Sequence, residues 1–174
     1  MRYLIFIIVA SLLSGCNRER RALEAEIESF IGTTITISDT LEFRNNGTLY
    51  TSSYFDSADF KIINYIDTAG CEECKLHLYD WGRFQRELDT INCNVKVCFV
   101  VWSADIEPLE RLARVHRFNF PLLYDSAGIF ERTNSIPNLA SFRTCLVDSS
   151  NKVLLVGSPL YNRDLKSLYY DLFE

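Results

Sequence analysis

The chain has 174 residues, 48% hydrophobic and 24% charged, which is enough apolar material for one well-cored domain and excludes a disordered tail, a collagen or a coiled coil. Lys and Arg number 18 against 23 Asp and Glu, and the basic residues are scattered, so the concentrated positive surface of a nucleic-acid binder is missing at a net charge of -5. Six cysteines are too few for a disulfide scaffold and more than a reducing compartment calls for, so their positions must carry the meaning.

Residues 1–15 read as an export signal, with Arg2 ahead of an apolar run from Tyr3 to Leu13 that is too short to span a bilayer as a mature helix. The run ends in Leu13-Ser14-Gly15-Cys16, which resembles the lipobox of bacterial lipoproteins. That resemblance implies cleavage before Cys16, a palmitate-type lipid anchor on it, and a domain facing the periplasm from the inner or outer membrane of the cell envelope. The alternative is a cleaved signal with an incidental cysteine. Export matters because it leaves the other thiols where disulfides persist.

Residues 16–31 form the anchor, a tether and a short helix, with Leu23, Ile27 and Phe30 spaced as one helical stripe. Residues 32–174 are expected to be the domain itself, with strands and a hairpin over 32–58 and the core over 59–174. Thr33 to Ile37 alternates like a strand, and Asn46-Gly47 suits the turn of a hairpin. Then come strand 61–67, a helix from Cys71 to Leu88, strand 95–102 and a helix from Ile106 to His116 with Leu109, Leu112 and Val115 inward. An inserted pair follows, strand 121–125 and a one- or two-turn helix near 127–132, then strand 142–148, a tight turn and strand 152–157. The last helix, Asp164 to Phe173, presents Leu165, Leu168, Tyr169 and Leu172 to the sheet. This order predicts an α/β fold: a central mixed sheet, parallel in the middle with an antiparallel last strand, and helices on both faces.

Cys71-Glu72-Glu73-Cys74 lies where a buried strand hands over to a helix. Amides and dipole at a helix N-terminus favour a thiolate there, lowering a thiol from about 8.5 towards roughly 3.5–7.5, and Cys74 follows one turn later. This strand-CxxC-helix arrangement and the element order over 59–173 resemble the thioredoxin superfamily. The inserted FPLLYDSAG and the ending TCLVDSSNKVLLVG resemble its TlpA/ResA-type thiol-disulfide proteins and peroxiredoxins, and the whole chain resembles the thioredoxin-like lipoproteins of Bacteroidetes. The resemblance implies Cys71 as nucleophile and Cys74 as resolving cysteine, protein thiols and disulfides as clients, and an upstream thiol electron donor. It implies no cofactor and no metal. The acidic pair between the thiols opposes thiolate formation, making the disulfide either more reducing or slower to turn over, and with the resemblance it points to a reductant. Where thioredoxins carry Pro-Thr before the fourth strand, this chain has Arg143-Thr144.

Two other readings stay open on the same residues. Peroxiredoxins place an arginine near this strand position beside their peroxidatic thiolate, and Thr68 with Cys71 matches their Thr-x-x-Cys, so a thiol peroxidase using Cys71, Thr68 and Arg143 is one; the motif's proline would fall at Asn64. The other is a non-catalytic binding or copper-handling lipoprotein, the latter recruiting His116. Against these stand the plainer roles: Arg143 as a strand-end cation, Asp67 and Thr68 as a helix N-cap, the CxxC as a structural bridge or half a zinc site, and His77 as a solvated helical residue. Cys98 and Cys145 fall inside strands as small buried hydrophobes that could pair if the strands are neighbours, whereas Cys93 sits at a turn.

Overall fold

The computed structural model describes residues 18–45, 47–51, 54–67, 77–118 and 120–174. The signal at 1–15, Cys16, Thr68, Cys71 and Cys74 therefore lie outside the described residues. Helix α1 covers 18–30. The hairpin strands β1 (Glu42–Asn45) and β2 (Thr48–Leu49) pair Asn45 with Thr48 across a two-residue turn, in which Gly47 takes the positive φ of 78° that the turn requires. There follow β3 (Phe60–Asp67), α2 (Leu78–Leu88), β4 (Val95–Trp102), α3 (Glu107–Val115), β5 (Leu122–Tyr124), α4 (Ile129–Asn134), β6 (Thr144–Asp148), β7 (Val153–Val156) and α5 (Arg163–Phe173).

These strands form one sheet in the order β2-β1-β5-β4-β3-β6-β7. β3, β4 and β5 run parallel, as their helical crossovers demand, and β6, β7, β1 and β2 each join antiparallel to a neighbour. The mixed sheet and the inserted β5–α4 unit are thus as expected. β3 is buried along almost its whole length, Lys61 to Ile66, because helices cover both its faces. On one face Ile62, Ile66, Val97, Phe99 and Leu146 pack with Leu78, Trp81 and Phe84 of α2, Leu109 of α3 and Tyr169 of α5. On the other, Ile63, Tyr65, Val100 and Val147 pack with Phe30 of α1 and Phe130 of α4.

Local chemistry sets several boundaries away from the expectations. Thr33–Ile37 is not a strand: only Thr34 bridges to Lys152, because the amide and carbonyl of Thr36 are taken by the side chain of Asn134 at 2.7 and 3.0 Å. Helical geometry does not run through from Cys71 to Leu88. His77 has φ 44° and ψ 40°, so the described helix starts only at Leu78. α4 starts at Ile129, where the buried Asp125 carboxylate accepts the Ile129 and Phe130 amides at 2.9 and 2.7 Å. β6 starts at Thr144 because Ala140–Phe142 closes into a 3-10 turn.

Some inward faces also differ. Val115 is 71% exposed, and α3 buries Ala113 and Glu110 instead, the Glu110 carboxylate lying 3.4 Å from Arg114. In α5 Leu168 and Leu172 face solvent, while Tyr169 and Phe173 are the buried pair. Among the described residues no helix is long and apolar enough to cross a membrane.

Candidate functional site

At the carboxyl end of β3 the sheet opens into a cleft of about 610 Å³. The end of β3 supplies its floor, from Asn64 to Asp67. One wall is the segment from Asn138 to Thr144, and another runs from Gly157 to Leu165. His77 and Trp81 of the α2 end close it. Register explains the convergence: β6 is antiparallel to β3, so the start of β6 lies beside the end of β3, and the Tyr65 amide donates to the Arg143 carbonyl at 2.9 Å. Asn64 pairs with Thr144, whose hydroxyl donates to the Asn64 side-chain oxygen at 2.9 Å.

Arg143 occupies the centre of a charged cluster. Its Nη1 pairs with Asp67 of β3, its Nη2 lies 3.6 Å from Glu131 of α4, and its Nε donates to the Pro137 carbonyl at 3.4 Å. The guanidinium also sits 5.6 Å from the ring centre of Tyr65. Tyr65 donates its hydroxyl to Glu131 at 3.0 Å, and burial together with that carboxylate drives its ionisation well above the usual phenol range. Asp67 is the last residue of β3 and an arginine partner, and the helix-cap role read for it with Thr68 concerns a segment outside the described residues.

Across the cleft His77 belongs to a second cluster. Tyr161 donates its hydroxyl to Asp80 at 2.6 Å and lies 3.0 Å from Nδ1 of His77. A phenol has one proton, and since Asp80 takes it, the phenol oxygen accepts from His77, whose Nδ1 carries the hydrogen. Burial and the Asp80 contact push Tyr161 up to about 12. His77 is exposed, as a solvated residue would be, but it is held. His116 lines a different hollow, with Tyr79, Arg86 and Phe118. Among the described residues no group of three or more His, Cys, Asp and Glu could hold a metal ion.

Of the proposed catalytic residues Cys71, Cys74, Thr68 and Arg143, the structure describes Arg143 alone. Cys71, Cys74 and Thr68 lie in the 68–76 segment, which starts after Asp67 and ends before His77, and both of those residues line the cleft. Sequence reasoning missed Tyr65, Glu131, Tyr161 and Asp80. No local signal marks them, since their partners are 66 to 84 residues away.

The three described cysteines are all free. Cys98 and Cys145 are not on neighbouring strands: both lie level with Ile63, on opposite sides of β3. Two strand spacings separate them by roughly 9–10 Å, beyond the ~7 Å that a disulfide can bridge. Burial pushes both thiols up, Cys145 to about 12. Cys93, half-buried beside Asp59, is raised by burial and by that carboxylate.

No protein-family model matches the sequence, and no curated protein sequence matches it. Solved structures do match the fold. The thioredoxin domain of a thiol-disulfide oxidoreductase from Bacteroides vulgatus aligns with a TM-score of 0.60 at 13% identity, covering 83% of this chain and 98% of that one. A cysteine-to-serine mutant of PrxQ from Xylella fastidiosa gives 0.59 at 14%, covering 82% and 94%. Peroxidoxin BcpB from Mycobacterium tuberculosis gives 0.57 at 20%, covering 82% and 96%. With the sheet order, the helices on both faces and the β5–α4 insertion, these likenesses identify the architecture of the chain as the thioredoxin-like fold.

Proposed function

We propose that the protein is a thiol-disulfide oxidoreductase that works through Cys71 and Cys74, as a reductant tethered to the cell envelope through a lipid on Cys16 and facing the periplasm. The observation that carries this reading is that Asp67 and His77, which bracket the CxxC segment, line one cleft at the carboxyl end of a thioredoxin-like sheet. In the reductive direction the Cys71 thiolate attacks one sulfur of a client disulfide and expels the other as thiolate. The Cys74 thiolate then attacks the Cys71 sulfur, releasing the second client thiol and leaving Cys71 and Cys74 joined. Two electrons reach the client, and an upstream thiol donor restores the pair. Glu72 and Glu73 between the thiols support the reducing direction.

The test is a redox titration of the full chain in glutathione and dithiothreitol buffers, with differential alkylation and peptide mapping. Reversible pairing of Cys71 with Cys74 at a potential between roughly -270 and -120 mV is expected. Thiols that stay reduced, or a bridge below about -300 mV, would leave no redox role for the motif. Cys74→Ser should trap a mixed disulfide through Cys71, and the Cys71→Ser variant should not.

A second reading, a thiol peroxidase using Cys71 with Thr68 and Arg143, draws support from Arg143 in the same cleft and from the likeness to peroxiredoxin structures. It ranks second because the Arg143 charge is already balanced by Asp67 and Glu131. Rapid peroxide consumption coupled to Cys71–Cys74 disulfide formation would reverse that order.

A further inference from the structure

The wall of the cleft from Pro137 to Arg143 has little secondary structure of its own. Its internal hydrogen bonds are the Phe142 amide to Leu139 and the Arg143 amide to Ala140, at 2.9 and 3.3 Å. No strand ladder holds it, since β6 begins only at Thr144. Two side chains fasten it from opposite sides. From within, the Arg143 guanidinium reaches Asp67 of β3, Glu131 of α4 and the Pro137 carbonyl at the far end of the same segment, closing it into a loop over a charged anchor. From outside, the half-buried Glu26 carboxylate of α1 accepts the Asn138 amide at 3.0 Å.

We infer that Arg143 is a positioning residue: with Glu26 it fixes the 137–143 wall of the cleft, which on the oxidoreductase reading is a wall the client meets, and it sets client binding without tuning the thiol. Three observations support this over a direct role at a thiolate. The cation is neutralised by two carboxylates. Its contacts with those carboxylates and the Tyr65 ring, and the bond from the Tyr65 amide to its backbone carbonyl, fasten wall to sheet and helix, while its bond to the Pro137 carbonyl ties the two ends of the wall together. The wall also exposes Leu139, 48% accessible, towards solvent, where an incoming polypeptide would meet it. The planar fork suits this role, because one guanidinium can serve three acceptors on three elements, which an ammonium cannot do with fixed geometry.

The inference rests on the oxidoreductase reading for client binding and its kinetic arm, and on geometry alone for the fixing of the wall. Using the full chain, Arg143→Met and Glu26→Ala are compared with the wild type by amide hydrogen exchange and by reduction of insulin disulfides with dithiothreitol as donor. Glu26→Ala, which removes one charge-assisted hydrogen bond, should speed exchange at Asn138 about tenfold, and Arg143→Met, which removes more, should speed exchange at positions 142 and 143 by at least about that factor, while core amides such as Val100 and Leu146 keep their protection. In the kinetic arm the KM for insulin should rise with kcat and the Cys71 alkylation pH profile unchanged. Should the wild type fail to reduce insulin, the oxidoreductase reading falls while the exchange data still decide the positioning role. An alkylation profile shifted to higher pH by Arg143→Met would overturn the inference and make Arg143 a thiolate partner. So would unchanged exchange at 138–143, or acceleration spread evenly over the core.

Discussion

Cys98 and Cys145 have the same side-chain chemistry as the motif cysteines but lie at the centre of the sheet, where loss of water disfavours a thiolate more than the Lys61 charge that reaches Cys98 can offset. Cys93 sits nearer the surface, yet Asp59 beside it disfavours the same anion. The reactive thiol chemistry of the described chain is therefore suppressed by environment. Iodoacetamide at pH 8 should leave Cys98 and Cys145 unmodified in the folded chain and alkylate both after denaturation, with peptide mass mapping as the readout. Modification of either in the folded state would mean that the sheet opens far more readily than its burial implies. Arg143 makes the converse point. Its residue type suggested either a thiolate partner or a strand-end cation, and its described contacts, which join β3, α4 and its own loop, support the positioning role proposed above.

Between elements, charged side chains do what the apolar stripes of the helices leave undone. α5 presents only Tyr169 and Phe173 fully to the core, and Leu168 and Leu172 remain exposed. It is joined to α2 by Lys166, which pairs with Glu87, and by Tyr170, whose hydroxyl donates to the same carboxylate at 3.1 Å. The Lys166 hydrogen bond, with help from Tyr170, holds the Glu87 carboxyl below its ordinary value. A carboxylate lowered in the folded state adds stability that is present above its unfolded value of about 4.3 and lost as pH falls through the lower folded one. Urea unfolding should accordingly show the wild type more stable than Glu87→Gln at pH 7, with the gap closing as pH falls below about 4. The pair is partly solvated, so high salt should narrow the gap at neutral pH as well.

At the scale of the molecule, α1, read from the sequence as the short helix of the anchor-and-tether segment 16–31, packs on the sheet through its last residue. Phe30 is 4% exposed and packs with Ile35, Phe130 and Val153, while Glu26 holds the wall of the cleft. Phe30→Ala should cost about 3–5 kcal/mol in equilibrium urea unfolding, the range for emptying a buried aromatic site. A loss below about 1 kcal/mol would return α1 to the status of a spacer. α1 thus does two things at once, sealing one face of the sheet through Phe30 and bracing the proposed docking wall through Glu26.

Sequence alone determined the class of fold. Period-two and period-3.6 patterns are local, and the succession of strand, helix and strand, the β5–α4 insertion and the returning β6–β7 pair could all be read from residues a few positions apart. It also singled out Arg143 just before β6, and the segment with Cys71 and Cys74 between two elements that do meet at one cleft. Boundaries were less legible where a distant side chain competes for the backbone, as Asn134 does with Thr36 across 98 residues. Only the tertiary structure decided that Cys98 and Cys145 are parted by β3, that Glu131 and Tyr65 share Arg143, and that Tyr161 meets His77 and Asp80. Each of these depends on strand order and helix packing, which arise from the burial of whole faces and leave no trace in the spacing of the residues they bring together.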